Sequence, residues 1–288
     1  MNQNLIEMAK TKHLLPIVLL VCVSAVVYFN SLSNGFVYDD LGTIVENKHI
    51  KRFGNYLSSF YNPSYFKISG GEASYRPVAT LSYYLLYAVF DENPFGYHLT
   101  SVVLHILNVI LVYLMAHVIL NHKGSAVMVG LLFACHPVNT EAVNGISYNE
   151  DLIAAFFYFL ALLLYMKLET SAPRQNLLFL ILSLFFFLLG LLSKEMAITL
   201  PAIVVLYDLT LREPTSSKIS ANRVLEVVRE RKYVYIGFLG VSLFYLWLRF
   251  FAIYNPEEVE TQIWGRLIDR VIYLPVLFFK YIKLSLFP

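Results

Sequence analysis

Long apolar runs separated by short polar segments make up most of the chain, and this pattern constrains its fold more than any other feature. The first run, from about Leu14 to Leu32, is long enough to cross a bilayer, which requires roughly 20 apolar residues. Of the 288 residues, 58% are hydrophobic and only 15% are charged, whereas about a quarter of the residues of a soluble domain are charged. The sequence therefore predicts an all-α, polytopic transmembrane helical bundle with about seven spanning helices. A net charge of +2 gives no reason to expect a nucleic-acid partner.

The distribution of basic residues predicts how the helices are oriented. Lys10 and Lys12 precede the first run, which is too long for a typical signal peptide, so we expect an uncleaved anchor with a cytoplasmic N-terminus. Residues 78–91 form an aromatic stretch that is too short to span, and we interpret it as a juxtamembrane helix in the outer interface. The basic segment 212–232 is then a cytoplasmic loop, as the positive-inside rule favours.

The remaining apolar runs predict the other crossings. They are Tyr97 to Leu120, Ser125 to Cys135, Leu152 to Lys167, Leu177 to Leu192, Ala197 to Leu211 with a bend at Pro201, and Tyr233 to Ile253, followed by a last run from Tyr273 to Phe287. Because the sequence stops at Pro288 within a hydrophobic pattern, we expect residues 1–288 to be the N-terminal membrane domain of a longer protein.

Charged residues at the ends of several predicted helices fall on the same, extracytoplasmic side. Asp39 and Asp40 lie in the first external loop, 33–77, directly after the first crossing. The others are Arg76, His136, Glu141, Glu150, Asp151, Lys194, Glu195 and the acidic cluster Glu257–Glu260. Loops are polar in general, but Lys194 and Glu195 interrupt an otherwise continuous apolar run. Since charges at the edge of hydrocarbon are costly to desolvate, this set predicts a site that opens at that face.

Six short motifs occur in an order that resembles a known family. They are Phe36-x-Tyr38-Asp39-Asp40, Tyr75-Arg76-Pro77, Gly96-Tyr97-His98 with His105 and Asn108, Phe133-Ala134-x-His136-Pro137-Val138-x-Thr140-Glu141-Ala142-Val143, Glu150-Asp151-Leu152, and Leu192-Ser193-Lys194-Glu195. From about Phe36 to Pro201 the chain resembles the polytopic glycosyltransferases of the GT-C fold. It is most similar to the transmembrane and tetratricopeptide-repeat-containing O-mannosyltransferases and their prokaryotic relatives. The repeats themselves, which have a period of ~34 residues, are absent.

The resemblance implies that a sugar moves from a polyprenyl- or dolichyl-phosphate donor to an acceptor on the extracytoplasmic side. We expect the sugar to be a hexose, with mannose as the favoured choice, and the acceptor to be a hydroxyl of a protein Ser or Thr or of a lipid-bound molecule. The membrane would be the bacterial plasma membrane or that of the endoplasmic reticulum. Asp39 or Asp40 is a candidate general base for the acceptor hydroxyl, and a single base favours one displacement with inversion. Arg76, His136 and Lys194 are candidate ligands of the donor phosphate.

Four further acids are candidates for supporting the acceptor or a metal ion: Glu141, Glu150, Asp151 and Glu195. Hard oxygen ligands suit Mg²⁺ or Mn²⁺, whereas the resemblance implies that donors with a single phosphate often need no metal, so both alternatives stay open. Arg76 could instead reach from an interfacial helix into water, and His136 could cap a helix end. The competing functions are a transporter or flippase, which would also use intramembrane carboxylates, and an inactive scaffold.

Overall fold

The computed structural model describes residues 3–58, 75–168, 173–212, 221–252 and 263–286. Within these ranges the chain forms α-helices joined by short 3₁₀ and π-helical turns, and it forms no strand there. The helices are α1 (Gln3–Tyr28), α2 (Pro77–Phe90), α3 (Pro94–Leu120), α4 (Lys123–Cys135), α5 (Thr140–Asn144), α6 (Asn149–Met166), α7 (Pro173–Ser193), α8 (Leu200–Thr210), α9 (Ala221–Trp247) and α10 (Ile263–Leu286). The predicted all-α class is confirmed.

Among the described residues, five helical segments are long and apolar enough to cross a membrane, which makes this an integral membrane protein of the polytopic class. They are His13–Ser33, Pro94–Leu120, Asn149–Met166, Gln175–Ser193 and Val224–Phe250. A sixth candidate consists of α4 and the segment Pro137–Asn144, which meet at a bend of 47°. The bend lies at His136-Pro137, where proline cannot continue the hydrogen bonding of the preceding helix. Helix α2 is apolar but shorter, and its place in the outer interface stays a prediction.

The predicted crossing from Ala197 to Leu211 has a different form from the one expected. A 3₁₀ segment, Glu195–Thr199, precedes α8, and Pro201 stands in the first turn of α8 instead of bending a longer helix. Proline is favoured at this position because the first turn has no internal partner for its missing N–H. The segment is too short to count among the five spans. It still joins the two ends of the bundle, because Glu195 contacts Arg76 at one end and Asp208 contacts Tyr165 at the other.

The basic segment 212–232 is only in part the loop that we predicted. Helix α9 begins at Ala221, so the second half of the segment is helical. Residues 221–232 contain several good helix formers, such as Leu225, Glu226 and Arg229, and neither glycine nor proline, which explains the early start. The acidic cluster Glu257–Glu260 lies outside the described residues.

Two apolar clusters hold the ends of the helices that concern function. In the first, Phe187 and Leu191 of α7 pack with residues of α6, α8 and α9. Gly190 allows close contact there, because a Cβ at this position would lie 3.3 Å from the Cβ of Ala197. In the second, Ile44 and neighbouring residues fix the loop after α1 against α2 and the start of α3.

Candidate active site

The Asp39-Asp40 loop is anchored by its second aspartate. Asp40 is 1% exposed, and its carboxylate accepts the backbone N–H of Val37 at 3.1 Å and that of Ser147 at 2.7 Å. The residue before the pair, Tyr38, has a left-handed backbone with φ of 48°, which is uncommon for a residue with a side chain. Asp40 therefore ties the loop to the segment before α6, and the turn at Tyr38 leaves Asp39 exposed.

Asp39 lines a cavity of about 480 Å³ between the loop and the segment from Thr140 to Tyr148. The cavity is within the range of about 300–1,000 Å³ that is usual for ligand sites. Glu141 and Tyr148 form part of its opposite wall. An exposed carboxylate beside a cavity of this size can reach a small group that enters it.

Arg76 binds two carboxylates at once. It directly precedes Pro77, which starts α2 as the favoured first residue of a helix. Its Nη1 donates to Oε1 of Glu150 at 2.5 Å, while Nε and Nη2 donate to the two oxygens of Glu195 at 3.1 and 2.8 Å. The side chain is only 18% exposed, so it does not extend into bulk water as the alternative interpretation required.

Lys194 is held by the first turn of α6. It directly follows the last residue of α7, and its Nζ lies 3.0 Å from Oε1 of Glu150 and 2.6 Å from Oδ2 of Asp151. Both acids stand at the N-terminus of α6, where the helix dipole favours negative charge. Of the residues predicted from the sequence, the structure thus brings Arg76, Glu150, Asp151, Lys194 and Glu195 into contact with one another.

Arg249 belongs to the same group of contacting charges, although we did not predict it from the sequence. It lies in the π-helical turn Leu248–Ala252 after α9, and its Nη1 is 3.4 Å from Oε2 of Glu195 and 3.0 Å from the hydroxyl of Tyr245. Its side chain is 11% exposed. The signal was present, because an ionisable residue inside an apolar run of spanning length indicates a functional site. We call Arg76, Glu150, Asp151, Lys194, Glu195 and Arg249 the ionic cluster.

Opposite charges within the ionic cluster shift the pKa values of its members. Burial raises the pKa of Glu195, but hydrogen bonds from Arg76 and the charge of Arg249 outweigh this effect and lower it from 4.5 to about 2. Burial lowers the pKa of Arg76 and of Lys194, whereas the surrounding carboxylates raise both by more. Arg76, Lys194 and Glu195 therefore stay charged near neutral pH.

The cavity and the ionic cluster are neighbours. Tyr148 lines the cavity and stands directly before α6, whose first turn carries two acids of the cluster. A second, smaller cavity of about 210 Å³ begins at Asp151 on the other side. Its walls are mostly apolar and include Tyr158, Phe159 and Met196.

The histidines singled out in the sequence have other surroundings. His136 caps the turn after α4, where its Nδ1 accepts the backbone N–H of Val138, and its assignment to the donor phosphate stays a prediction. His98 and His105 are buried in α3, and Nε2 of His105 lies 3.3 Å from the carbonyl oxygen of Ala134. Within the described ranges, no three His, Cys, Asp or Glu side chains converge as metal ligands would.

Comparisons with known proteins identify the family of the chain. Residues 75–226 match the family described as dolichyl-phosphate-mannose-protein mannosyltransferase. The chain is 32% identical to protein O-mannosyl-transferase Tmtc1 of Drosophila melanogaster over 270 residues, which are 87% of this chain and 31% of the fly protein. It is 33% identical to mouse TMTC1 over 72% of this chain and 23% of that protein, and 31% identical to human TMTC2 over 76% and 26%.

The chain spans about a third or less of the length of these relatives. No solved structure matches it. The matched family segment begins at Tyr75, includes five of the six residues of the ionic cluster, and covers slightly more than half of the sequence. The chain therefore belongs to the dolichyl-phosphate-mannose-protein mannosyltransferase family.

Proposed function

We propose that this chain transfers mannose from a polyprenyl- or dolichyl-phosphate donor to the hydroxyl of a protein Ser or Thr at the extracytoplasmic face of the membrane. The observation that carries the proposal is the exposed carboxylate of Asp39 in a cavity of about 480 Å³. Tyr148 of its wall directly precedes α6, whose first turn binds Arg76 and Lys194 through two acids. The family and the names of the relatives, protein O-mannosyl-transferases, support the choice of sugar and acceptor.

Asp39 is the general base in this proposal. A hydroxyl is a weak nucleophile near neutral pH, and a positioned base that takes its proton accelerates the reaction by about 10²–10⁴. The acceptor oxygen attacks the anomeric carbon as Asp39 takes the proton, and the electron pair of the breaking carbon–oxygen bond leaves with the phosphate. A single displacement inverts the configuration at that carbon. Asp40 has both carboxylate oxygens bound to backbone N–H groups, so its part is to hold the loop.

Arg76, Lys194 and Arg249 stabilise the phosphate that leaves. Their carboxylate partners must yield room to it, and the side chain of Glu195 is the most exposed of these, at 41% against 15% for Glu150 and 26% for Asp151. A phosphate that takes the place of the Glu195 carboxylate would meet both arginines. Arginine is suited to this task because its planar fork binds two oxygens of a phosphate at once.

The apolar cavity beside Asp151 supports a donor that carries a lipid. It is lined by Ala154, Tyr158 and Phe159 of α6 and by Met196 and Ala197, so a hydrocarbon chain attached to a phosphate at Lys194 could continue along it. A transporter is less well supported, because the charges of the ionic cluster are paired with one another at the ends of helices instead of near the middle of the spans.

Sugar transfer in isolated membranes tests the proposal. Radiolabelled polyprenyl-phosphate mannose and a Ser/Thr-rich acceptor peptide are added to membranes that contain either the unaltered chain or one of the variants Asp39→Asn and Glu230→Gln. We expect transfer by the unaltered chain and by Glu230→Gln, an exposed acid of α9, and a loss of about 10²-fold or more in Asp39→Asn. No transfer by the unaltered chain with mannose, glucose or N-acetylglucosamine donors would overturn the enzyme assignment, and equal rates in Asp39→Asn would overturn the role of this base.

A further inference from the structure

Tyr148 belongs to the wall of the cavity and directly precedes the helix that carries two acids of the ionic cluster. It lines the cavity together with Asp39 and Glu141. Two and three residues later in the chain, Glu150 and Asp151 bind the cations of the ionic cluster. No function assigned so far uses this side chain.

The position of the Tyr148 ring is set by a neighbouring glycine. A Cβ added at Gly145 would lie 2.5 Å from Cδ2 and 3.1 Å from Cε2 of the ring, so the ring rests against the backbone there. Gly145 has φ of −95° and ψ of 125°, a conformation that any residue can adopt. The lack of a side chain at Gly145 therefore makes room for the Tyr148 ring and for the carbonyl oxygen of Glu141, which would lie 3.2 Å from the same Cβ.

The hydroxyl of Tyr148 has an acidic neighbour. It is hydrogen-bonded to Glu141, and the charge of Glu141 raises the pKa of Tyr148, as does the charge of Asp39, while Lys194 acts in the opposite direction. Tyr148 is thus within the electrostatic reach of the proposed base on one side and of a proposed phosphate ligand on the other. It stays protonated and can donate to the carboxylate.

In a single displacement, the sugar lies between the acceptor oxygen and the leaving phosphate. The reacting atoms have to be about 3–3.5 Å apart for the reaction to proceed, so the base and the phosphate ligands must bracket the sugar ring closely. Tyr148 lines the same cavity as Asp39 and is within reach of the charge of Lys194, so a sugar held between the base and the phosphate ligands would have this side chain as a neighbour.

We propose that Tyr148 binds the hexose of the donor, with its ring against the carbon–hydrogen face of the sugar and the Tyr148–Glu141 pair toward the sugar hydroxyls. This inference rests on the proposed transferase function and adds the residues that select the sugar. The aromatic ring offers a flat apolar surface with a polar tip, which fits the mixed character of a pyranose. Glu141 supplies an acceptor whose position distinguishes sugars that differ in the direction of one hydroxyl.

The test separates the sugar from the rest of the donor. The complete chain and the variants Tyr148→Ala, Tyr148→Phe and Gly145→Ala are assayed for transfer from polyprenyl-phosphate mannose, and for inhibition by polyprenyl phosphate, which lacks the sugar. Tyr233→Ala, which removes an exposed ring of α9, is the matched control. Thermal unfolding in detergent shows whether each variant is folded.

In Tyr148→Ala we expect KM for the mannose donor to rise about tenfold and kcat to fall. Inhibition by polyprenyl phosphate stays within about twofold of the unaltered chain, because that ligand makes no sugar contact. Tyr148→Phe keeps the ring and loses mainly the preference for mannose over glucose donors. Gly145→Ala, which displaces the ring, follows Tyr148→Ala in direction.

Three results would overturn the inference. The first is an unchanged KM, kcat and sugar preference in Tyr148→Ala when the unaltered chain is active. The second is inhibition by polyprenyl phosphate that weakens as much as donor binding does, which would mean that Tyr148 serves the phosphate or the fold. The third is a complete lack of transfer by the unaltered chain, which removes the proposed function itself and with it the inference.

Discussion

Arg76 and Glu195, which stand 119 positions apart in the sequence, are joined by two hydrogen bonds, from Nε to Oε2 at 3.1 Å and from Nη2 to Oε1 at 2.8 Å. The third nitrogen, Nη1, binds Glu150. The guanidinium group thus serves acids from two different helix ends, and a lysine at position 76 could reproduce its charge but not this geometry.

Replacement of Arg76 by lysine separates charge from geometry. We expect Arg76→Lys to raise KM for the lipid-linked donor about tenfold, because a phosphate would lose a bidentate contact, and Arg76→Gln to raise it further. Steady-state transfer at varied donor concentration measures the effect. Arg52→Lys, on an exposed loop, is the control. Unchanged kinetics in Arg76→Lys would show that donor binding does not depend on a bidentate contact from the guanidinium group.

The two aspartates of the loop should differ in what their loss affects. In Asp40→Asn the new amide group faces one of two backbone N–H donors, so one buried donor loses its partner at a cost of about 1–3 kcal/mol. We expect Asp40→Asn to have lower thermal stability in detergent and a lower yield of folded protein. Asp39→Asn should have the stability and yield of the unaltered chain and lose activity. A stable Asp40→Asn with full activity would contradict the anchoring role.

Arg249 should matter for both binding and stability. Arg249→Gln leaves Glu195 with Arg76 as its cationic partner among the described residues and takes one cation from the proposed phosphate site. We expect a severalfold rise in donor KM and a smaller one in Arg249→Lys, which retains the charge. The measurement is transfer kinetics together with the unfolding temperature, and an unchanged KM in Arg249→Gln would remove this residue from the phosphate site.

The depressed pKa of Glu195 predicts how stability depends on pH. Because the folded-state pKa is about 2 and the ordinary value is 4.5, the contribution of this carboxylate is complete above pH 4.5 and is lost as the pH falls toward about 2. The unfolding temperature of the purified chain should therefore decline over this interval. In Glu195→Gln the decline should be smaller, and an identical decline in both proteins would show that other groups cause it.

The opposite end of the bundle offers a change that should affect stability alone. The buried carboxylate of Asp208 accepts hydrogen bonds from the hydroxyls of Tyr165 and Tyr235, at 2.5 and 2.6 Å. Tyr235→Phe removes one of them at a cost of about 1 kcal/mol. We expect an unfolding temperature lower by a few degrees and unchanged transfer per folded molecule, so a loss of activity here would reveal coupling between the two ends.

Much of the fold could be predicted from apolar run length alone. A run such as Pro94–Leu120 can satisfy its backbone within a membrane only as a helix, which fixes its class regardless of its neighbours. The segment from Glu195 to Thr210 was harder, because a 3₁₀ turn and a short helix leave no clear period in a 16-residue window. The start of α9 at Ala221 was missed because charge indicated a loop, although the same residues favour helix formation.

The sequence predicted which residues belong to the candidate site better than it predicted which of them contact each other. The predicted alternation of inward and outward crossings placed Arg76, Glu150 and Lys194 at one end of the bundle. In the structure Glu150 contacts both cations. The sequence could not show that Asp40 is buried and Asp39 exposed, since adjacent residues of a loop have no fixed periodicity. Tyr148 carries no charge, so its role is indicated only by its surroundings in the fold, the cavity wall that it shares with Asp39 and its contact with Gly145.

The ionic cluster also bears on how the protein reaches its folded state. Its charges come from four places in the chain, at positions 76, 150–151, 194–195 and 249, so the complete set of pairs forms only when these four segments have come together. A cation in an apolar segment, such as Arg249 in the turn after α9, is costly in a membrane unless polar groups surround it. The ion pair between Arg249 and Glu195 would therefore stabilise α9 in the orientation that brings these two side chains together. The residues proposed to hold the donor would then also favour the correct arrangement of the helices, because a bundle with one inverted helix would lack these ion pairs.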